Sequence, residues 1–318
     1  MSEPTATGGP RAARKSVALD GRGLLILTYH RVLPADDPLR PGEMTEAAFD
    51  RHAAVLRRWF NVLPLAEGWR RTLEGSLPRR AVALTFDDGY ADNAELALPV
   101  LKRHGLTATF FIATGFLDGG RMWNDTIIET LRLARAPLDL RDLDGGLLET
   151  DTQEARVRAV PAVIRSWKHL PPHERQRRVD ALLERARLQP PADLMMRSEQ
   201  VKELARAGME IGAHTVTHPI LRSISDSEAA EEMSRSRTAL ESLSGAPVRT
   251  FAYPNGRLGD DYDARHADIA RRTGFELAVS TNAGTARRSS DAYQLPRFGP
   301  WPESSWRFAA RLLHAHRH

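Results

Sequence analysis

Seven short apolar runs punctuate this 318-residue chain, and helix-patterned segments stand between most of them. They fall at 24–29, 81–86, 107–114, 209–214, 249–254, 275–280 and 293–298. Each has the length of a strand, and the run at 23–30 is far too short to cross a bilayer. Strand, helix, strand in that order implies a parallel pair, because parallel neighbours need a crossover and a helix is the usual one. Repeated along one chain, the unit predicts an α/β fold, either a barrel or an open sheet. Helices are expected at 44–60, with Thr45 as N-cap and Phe49, Ala53, Leu56 and Phe60 at helical spacing, and at 91–104, closed by Gly105. Others are expected at 198–207, capped by Ser198 and stopped by Gly208, then at 225–243 and 261–273.

The stretch 122–189 interrupts this rhythm. It reads as mostly helical, broken at Pro161 and at Pro171–Pro172, and is expected to be an insertion over about 120–195. Between Arg156 and Arg187 it carries nine basic residues against three acidic ones. Such a charge run is by default a solvated helical face. The sharper reading is contact with anionic lipid headgroups or a lipid-pyrophosphate sugar carrier. The tail 301–318 points the same way: Trp306, Phe308, Leu312 and Leu313 interleave with Arg307, Arg311 and Arg317, as in an interfacial helix. Residues 1–22 are expected to be a disordered tail, leaving 23–300 as the folded domain. The N-terminus lacks the apolar core of a secretory signal. A cytoplasmic protein with membrane-surface contact is the expectation, or a periplasmic one if the natural start lies upstream.

Charge narrows the partners further. Lys and Arg total 45, only four of them Lys, against 41 Asp and Glu. That balance is too even to argue for nucleic acid, and no stacking platform or basic recognition helix accompanies it. Cysteine is absent, so disulfides and thiolate metal sites are excluded. A metal would have to sit on His and carboxylate.

Five stretches carry candidate chemistry. "AVALTFDDGYADN" (81–93) runs an apolar strand straight into Asp87 and Asp88. Two neighbouring carboxylates repel, and a cation beside them removes that cost. A hairpin turn is the bland reading of Asp-Gly, but the residues that follow have a helical pattern. "EIGAHTVTHP" places His214 and His218 at i and i+4 after a strand. On a helical turn that spacing sets both imidazoles on one face. Two His and one carboxylate leave coordination positions open, the pattern of a catalytic site. "FAYPNG" (251–256) and "LPRF" (295–298) lie at strand ends, and "LTYHRV" places His30 at the end of the first strand. In parallel α/β folds, sites gather at the carboxyl ends of strands.

Together these stretches resemble the polysaccharide deacetylase family, the NodB-like domain of carbohydrate esterase family 4. The resemblance implies a distorted (β/α) barrel of seven parallel strands that catalyses metal-dependent hydrolysis of an N-acetyl group on a sugar. It implies that Asp88, His214 and His218 bind the metal and that Asp87 is the general base, with the backbone N–H of Asn255 helping to hold the oxyanion. The family's third motif often carries an Arg where this chain has Ala252; Arg297, from "LPRF", is the candidate to replace it. The family's C-terminal catalytic His has no counterpart here, and His30 is assigned as general acid instead. Tyr90, Tyr253, Pro254 and Trp301 are the candidate substrate contacts. Tyr90, Asp92 and Asn93 also read as a helix start, and Asn124 or Asp125 as the cap of the insertion's first helix. Zn2+ is the default metal, with Co2+, Ni2+ and Mn2+ also suited to such ligands. The expected substrate is an acetylated amino sugar in a glycan or a lipid- or nucleotide-linked saccharide. Removal of a formyl or ester-linked acetyl group is the enzymatic alternative, and a non-catalytic carbohydrate-binding protein is the alternative of another class.

Overall fold

The computed structural model describes residues 23–299 and 304–316. Seven parallel strands form a nearly closed barrel: β1 (Leu25–Tyr29), β2 (Ala81–Phe86), β3 (Thr109–Ile112), β4 (Glu210–Ala213), β5 (Thr250–Ala252), β6 (Leu277–Ala283) and β7 (Leu295–Arg297). They neighbour one another in chain order, each pair in parallel register. The seam between β7 and β1 is closed just past the end of β7, where the Phe298 N–H donates to Ile26 O (2.7 Å) and the Thr28 N–H to Phe298 O (3.2 Å). A short extra strand, Asn61–Val62, adds to the start of β2.

Period two sorts the strand residues between two layers. Leu25, Leu27, Tyr29, Leu84, Phe86 and Phe110 pack outward against the helices, while Leu24, Ile26, Ala81, Ala83, Phe111, Ala252 and Val279 form a second cluster facing inward. Small residues dominate the interior of β2, and the same parity carries Thr85 and Asp87 inward. The two ends of the barrel differ. Helix α2 (Leu65–Glu74) packs Leu65 and Trp69 against the inner cluster at the amino ends of the strands. The carboxyl ends stay open.

Local signals account for the remaining helices. Helix α1 (Glu46–Trp59) starts where the Ala48 N–H donates to Thr45 Oγ1, and α8 (Asp226–Ser244) opens on a capping box between Ser225 and Glu228. Helix α3 (Leu98–His104) ends on Gly105 in the left-handed region, but it is preceded by a π-helical turn, Asn93–Ala97. Helix α7 (Ser198–Arg206) begins at Ser198 rather than being capped by it, because that residue's N–H and hydroxyl are engaged by Asp118 (2.8 and 2.5 Å). Helix α9 (Ala264–Thr273) is capped by Asp263, so it starts later than the pattern predicts.

The insertion corrects two expectations. It comprises α4 (Trp123–Leu133), an antiparallel hairpin (Leu138–Leu140 with Gly146–Leu148), α5 (Gln153–Trp167) and α6 (Pro172–Ala186), packed around a core of its own that includes Ile127, Val163, Trp167 and Leu182. Pro161 does not break it: the residue lies inside α5 on the exposed face, where water can satisfy the Val157 carbonyl that loses its partner. Helix α4 is preceded by Met122 rather than capped by Asn124 or Asp125. Asp125 is instead buried between Arg40 (2.8 Å) and the Tyr90 hydroxyl (2.9 Å).

The C-terminal segment is a correction as well. Helix α10 (Ser305–Ala315) turns Phe308 and Leu312 into the barrel's helical layer, where Phe308 stacks on His52 with ring centroids 3.7 Å apart. The apolar stripe that read as an interfacial face is consumed by packing; Trp306 alone of its large apolar residues stays strongly exposed. The expected tail at 1–22 and the candidate contact Trp301 lie outside the described residues.

Candidate active site

The carboxyl end of β2 sets the geometry. Asp87 still follows the strand, and its N–H donates to Tyr29 O (3.0 Å). At Asp88 the backbone swings to φ 77°, and Gly89 follows at φ 88°. This left-handed pair turns the second carboxylate away from the first. Gly89 is required twice over, since a Cβ there would sit 2.9 Å from Ile112 Cγ2.

Asp87 points into the barrel and meets Arg297 from β7. Arg297 donates through Nη1 to Asp87 Oδ1 (2.7 Å) and through Nη2 to Oδ2 (2.6 Å), and through Nε to Ser280 O (2.8 Å). Both side chains are essentially buried. Burial alone would raise the Asp87 carboxyl, but the Arg297 guanidinium outweighs it and holds the group below the usual carboxylate range.

Asp88 meets the His pair. Its Oδ1 lies 3.4 Å from both His214 Nε2 and His218 Nε2, and one ligand atom from each residue falls within 4.8 Å of the others. The His pair is not on a helical turn. It sits on an irregular loop in which Thr215 (φ 65°) and His218 (φ 53°) adopt the left-handed conformation, an uncommon state for a β-branched residue. Glu232 of α8 holds that loop by accepting from the N–H groups of Val216 (2.7 Å) and Thr217 (2.8 Å) and from Thr217 Oγ1 (2.8 Å). Inside it, Thr215 Oγ1 accepts from the His218 N–H (3.1 Å).

The chemistry of these donors fits a divalent cation. His214 Nδ1 lies 2.7 Å from Ala252 O, so it carries the proton and leaves Nε2 with a lone pair. Burial pushes the His218 imidazole down to about 4, which keeps its ring neutral at physiological pH. Burial would raise the Asp88 carboxyl, but His214, His218 and His30 around it outweigh that and hold it below the usual carboxylate range. Two imidazoles and one carboxylate in mutual reach form an open-sided ligand set.

These groups open onto a cavity of about 300 Å3. His30, Tyr90 and Asn255 line it with the ligand set. Asn255 is left-handed (φ 57°), and among the described residues no acceptor takes its N–H. His30 is held by its own backbone, whose carbonyl accepts from Asn93 Nδ2 (2.8 Å). Burial would lower its imidazole, but Asp88, Asp87 and Glu43 together raise it above the ordinary value. Asp92 stands at the start of the π-helical turn, but its side chain makes no capping bond there; it accepts from Arg31 Nε (2.7 Å) and the Val32 N–H (3.1 Å), tying β1's exit loop to the Asp loop.

Tyr253 is corrected outright. Its ring is fully buried, stacked on Tyr262 at 3.8 Å, and its hydroxyl donates to Tyr293 O (2.9 Å), so it is a core residue beneath the turn. Pro254 shapes the turn and does not line the cavity. Glu43 and six insertion residues, Met122, Trp123, Asn124, Ile164, Lys168 and Arg175, line it without having been singled out for it. Glu43 follows a Pro-Gly turn shortly after a strand end, which was a usable signal. The insertion residues left none, because their place depends on how the insertion folds back.

Comparison with known proteins gives the family and the fold. Residues 74–278 match the family described as polysaccharide deacetylase. The protein YxkH of Bacillus subtilis (strain 168) is 22% identical over 276 residues, which cover 86% of this chain and 70% of that one. The fold is similar to that of the Streptococcus pyogenes deacetylase PplD in complex with acetate, at TM-score 0.62 and 22% identity over 92% of this chain and 98% of that one. It is similar also to IcaB from Ammonifex degensii, at TM-score 0.60 and 23% identity over 92% and 97%.

Proposed function

The chain belongs to the polysaccharide deacetylase family, a family of hydrolases, and from that premise we propose that it is a metal-dependent N-deacetylase acting on an acetylated amino sugar within a glycan or a carrier-linked saccharide. The observation that carries the reading is the division of labour at the end of β2: Asp88 joins His214 and His218, while Asp87 stays free of them and is aligned by Arg297.

Asp88, His214 and His218 would hold the cation, with zinc the default for two imidazoles and a carboxylate. When bound, such a cation supplies Lewis acidity toward an amide carbonyl and a water. Asp87, ionised and fixed by two bonds, accepts the proton that water loses as its oxygen attacks the acetyl carbon. The Asn255 N–H donates to the oxygen that becomes negative. His30 donates a proton to the sugar nitrogen as the C–N bond breaks, yielding acetate and a free amine.

The test is metal analysis of the purified protein together with acetate release from an N-acetylated chitooligosaccharide. Acetate release that chelator abolishes and added zinc restores is the expected result. Turnover untouched by chelator, or bound metal with no hydrolysis of any acylated sugar, removes the reading.

A further inference from the structure

Four arginines are buried among the described residues: Arg31, Arg40, Arg175 and Arg297. Three of them are held by carboxylates. Arg31 pairs with Asp92, Arg40 with Asp125 and Glu129, and Arg297 with Asp87. Arg175, on α6 of the insertion, has no such partner among the described residues. Its guanidinium lies 4.8 Å from the centre of the Trp123 ring, and Nη1 donates to Lys168 O (3.1 Å). No acidic group acts on it; burial alone pushes its pKa down. Lys168, half-buried at the end of α5, makes no ion pair among the described residues either.

Both cations line the same cavity as Asp88, His214 and His218. The carboxylates in that cavity are already committed: Asp87 to Arg297, Asp88 to the His pair, and Glu43 to the Arg31 N–H. A guanidinium has five donors, and one carbonyl and one ring face leave most of them unused. Burying such a group without a counter-charge is costly unless a ligand supplies one. A guanidinium and an ammonium lining one cavity suit the oxygens of a phosphate ester or a carboxylate.

We propose that Arg175 and Lys168 bind an oxyanion carried by the saccharide, so that the substrate is an anionic acylated sugar rather than a neutral one. The reaction assigned to that sugar rests on the deacetylase reading above; the binding does not. In this molecule the insertion is then the element that selects substrate, and part of its basic excess serves the cavity rather than solvent.

Calorimetric titration of the full chain with three probes tests this: N-acetylglucosamine 1-phosphate for a phosphate, a hyaluronan tetrasaccharide for a carboxylate, and N-acetylchitotetraose as the neutral control. At least one anionic probe should bind roughly 10- to 100-fold tighter than the neutral one, the range expected for a charged hydrogen bond. Which probe it is identifies the oxyanion. The preference should fall to near unity in Arg175→Ala and Lys168→Ala and return in part in Arg175→Lys, with binding weakening as salt rises. Lys168 is only half-buried, so its variant keeps the test open if Arg175→Ala fails to fold. The proposal is overturned if no anionic probe binds, if the neutral probe binds as tightly as both, or if the preference survives both substitutions. Acetate release is followed in parallel. Anion preference without hydrolysis of any probe sinks the deacetylase reading alone, and hydrolysis without preference sinks this one alone.

Discussion

Asp87 and Arg297 are separated by more than two hundred residues and meet through two short hydrogen bonds inside the barrel. Removing one partner of a buried pair leaves an uncompensated charge, typically costing about 3–5 kcal/mol. Arg297→Ala should therefore lower unfolding free energy by roughly that amount, read by urea denaturation at pH 7. The sign of the pH effect follows from the depressed Asp87 carboxyl. The pair's stabilisation is present above the ordinary carboxylate pKa and is lost as pH falls through the lower folded-state value, so wild type and variant should converge in acid. Asp87→Asn keeps the size and removes the base. It should reduce turnover about 10²- to 10⁴-fold while leaving bound metal near stoichiometric, measured by acetate release and elemental analysis. Loss of metal in Asp87→Asn would place Asp87 among the ligands instead.

At the scale of elements, the loop after β4 depends on a helix that never reaches the cavity. Glu232 of α8 accepts three hydrogen bonds from Val216 and Thr217, between the two histidines. Its removal frees a loop that carries two left-handed residues. Outer partners of metal ligands commonly contribute about 10–100-fold in affinity, so Glu232→Ala should weaken metal binding by that order in a chelator competition, with the helical circular dichroism retained. Unchanged metal affinity would show that the His pair holds its geometry unaided. Elements also show why some sequence signals misled. Pro161 reads as a break, but it and Val157, whose carbonyl loses its partner, both lie on the exposed face of α5. The i and i+4 His spacing suggests a helical turn, but two histidines on a compact loop meet just as well, with ring centroids 4.7 Å apart.

For the whole molecule, the barrel separates chemistry at one end from stability at the other. Glu210 begins β4 at the closed end, accepting from the Ala66 N–H (3.2 Å) and Thr109 Oγ1 (3.2 Å), while its Oε1 is buried without a partner. Burial raises its carboxyl above the usual range. A raised carboxyl favours the fold fully below its unfolded pKa, and that advantage fades as pH climbs through the folded value. Glu210→Gln should therefore gain stability over wild type at pH 8 and lose the advantage near pH 4, with acetate release unchanged; an equal effect at both pH values would contradict the assignment. The outer layer depends on α10 in the same global way. Phe308 is fully buried against His52, so Phe308→Ala should cost about 3–5 kcal/mol in chemical denaturation. A loss under about 1 kcal/mol would return this helix to the surface role that its amphipathic sequence suggests.

What the amino-acid order determined alone is whatever depends on neighbours along the chain. Period-two and period-3.6 patterns marked the strands and most helices, Thr45, Ser225 and Gly105 marked their ends, and the Asp-Asp and His-x-x-x-His stretches at strand ends marked the chemistry. Tertiary structure decided everything that depends on distant segments meeting. Tyr253 and Asn255 stand two residues apart in one turn, yet one is core and the other lines the cavity, because Tyr262 and Tyr293 bury the first. An amphipathic stripe such as α10 or an arginine such as Arg175 has the same sequence signature whether it faces solvent, protein or ligand. Only the fold supplies the opposing surface, and with it the dielectric and the partners that set each group's energy.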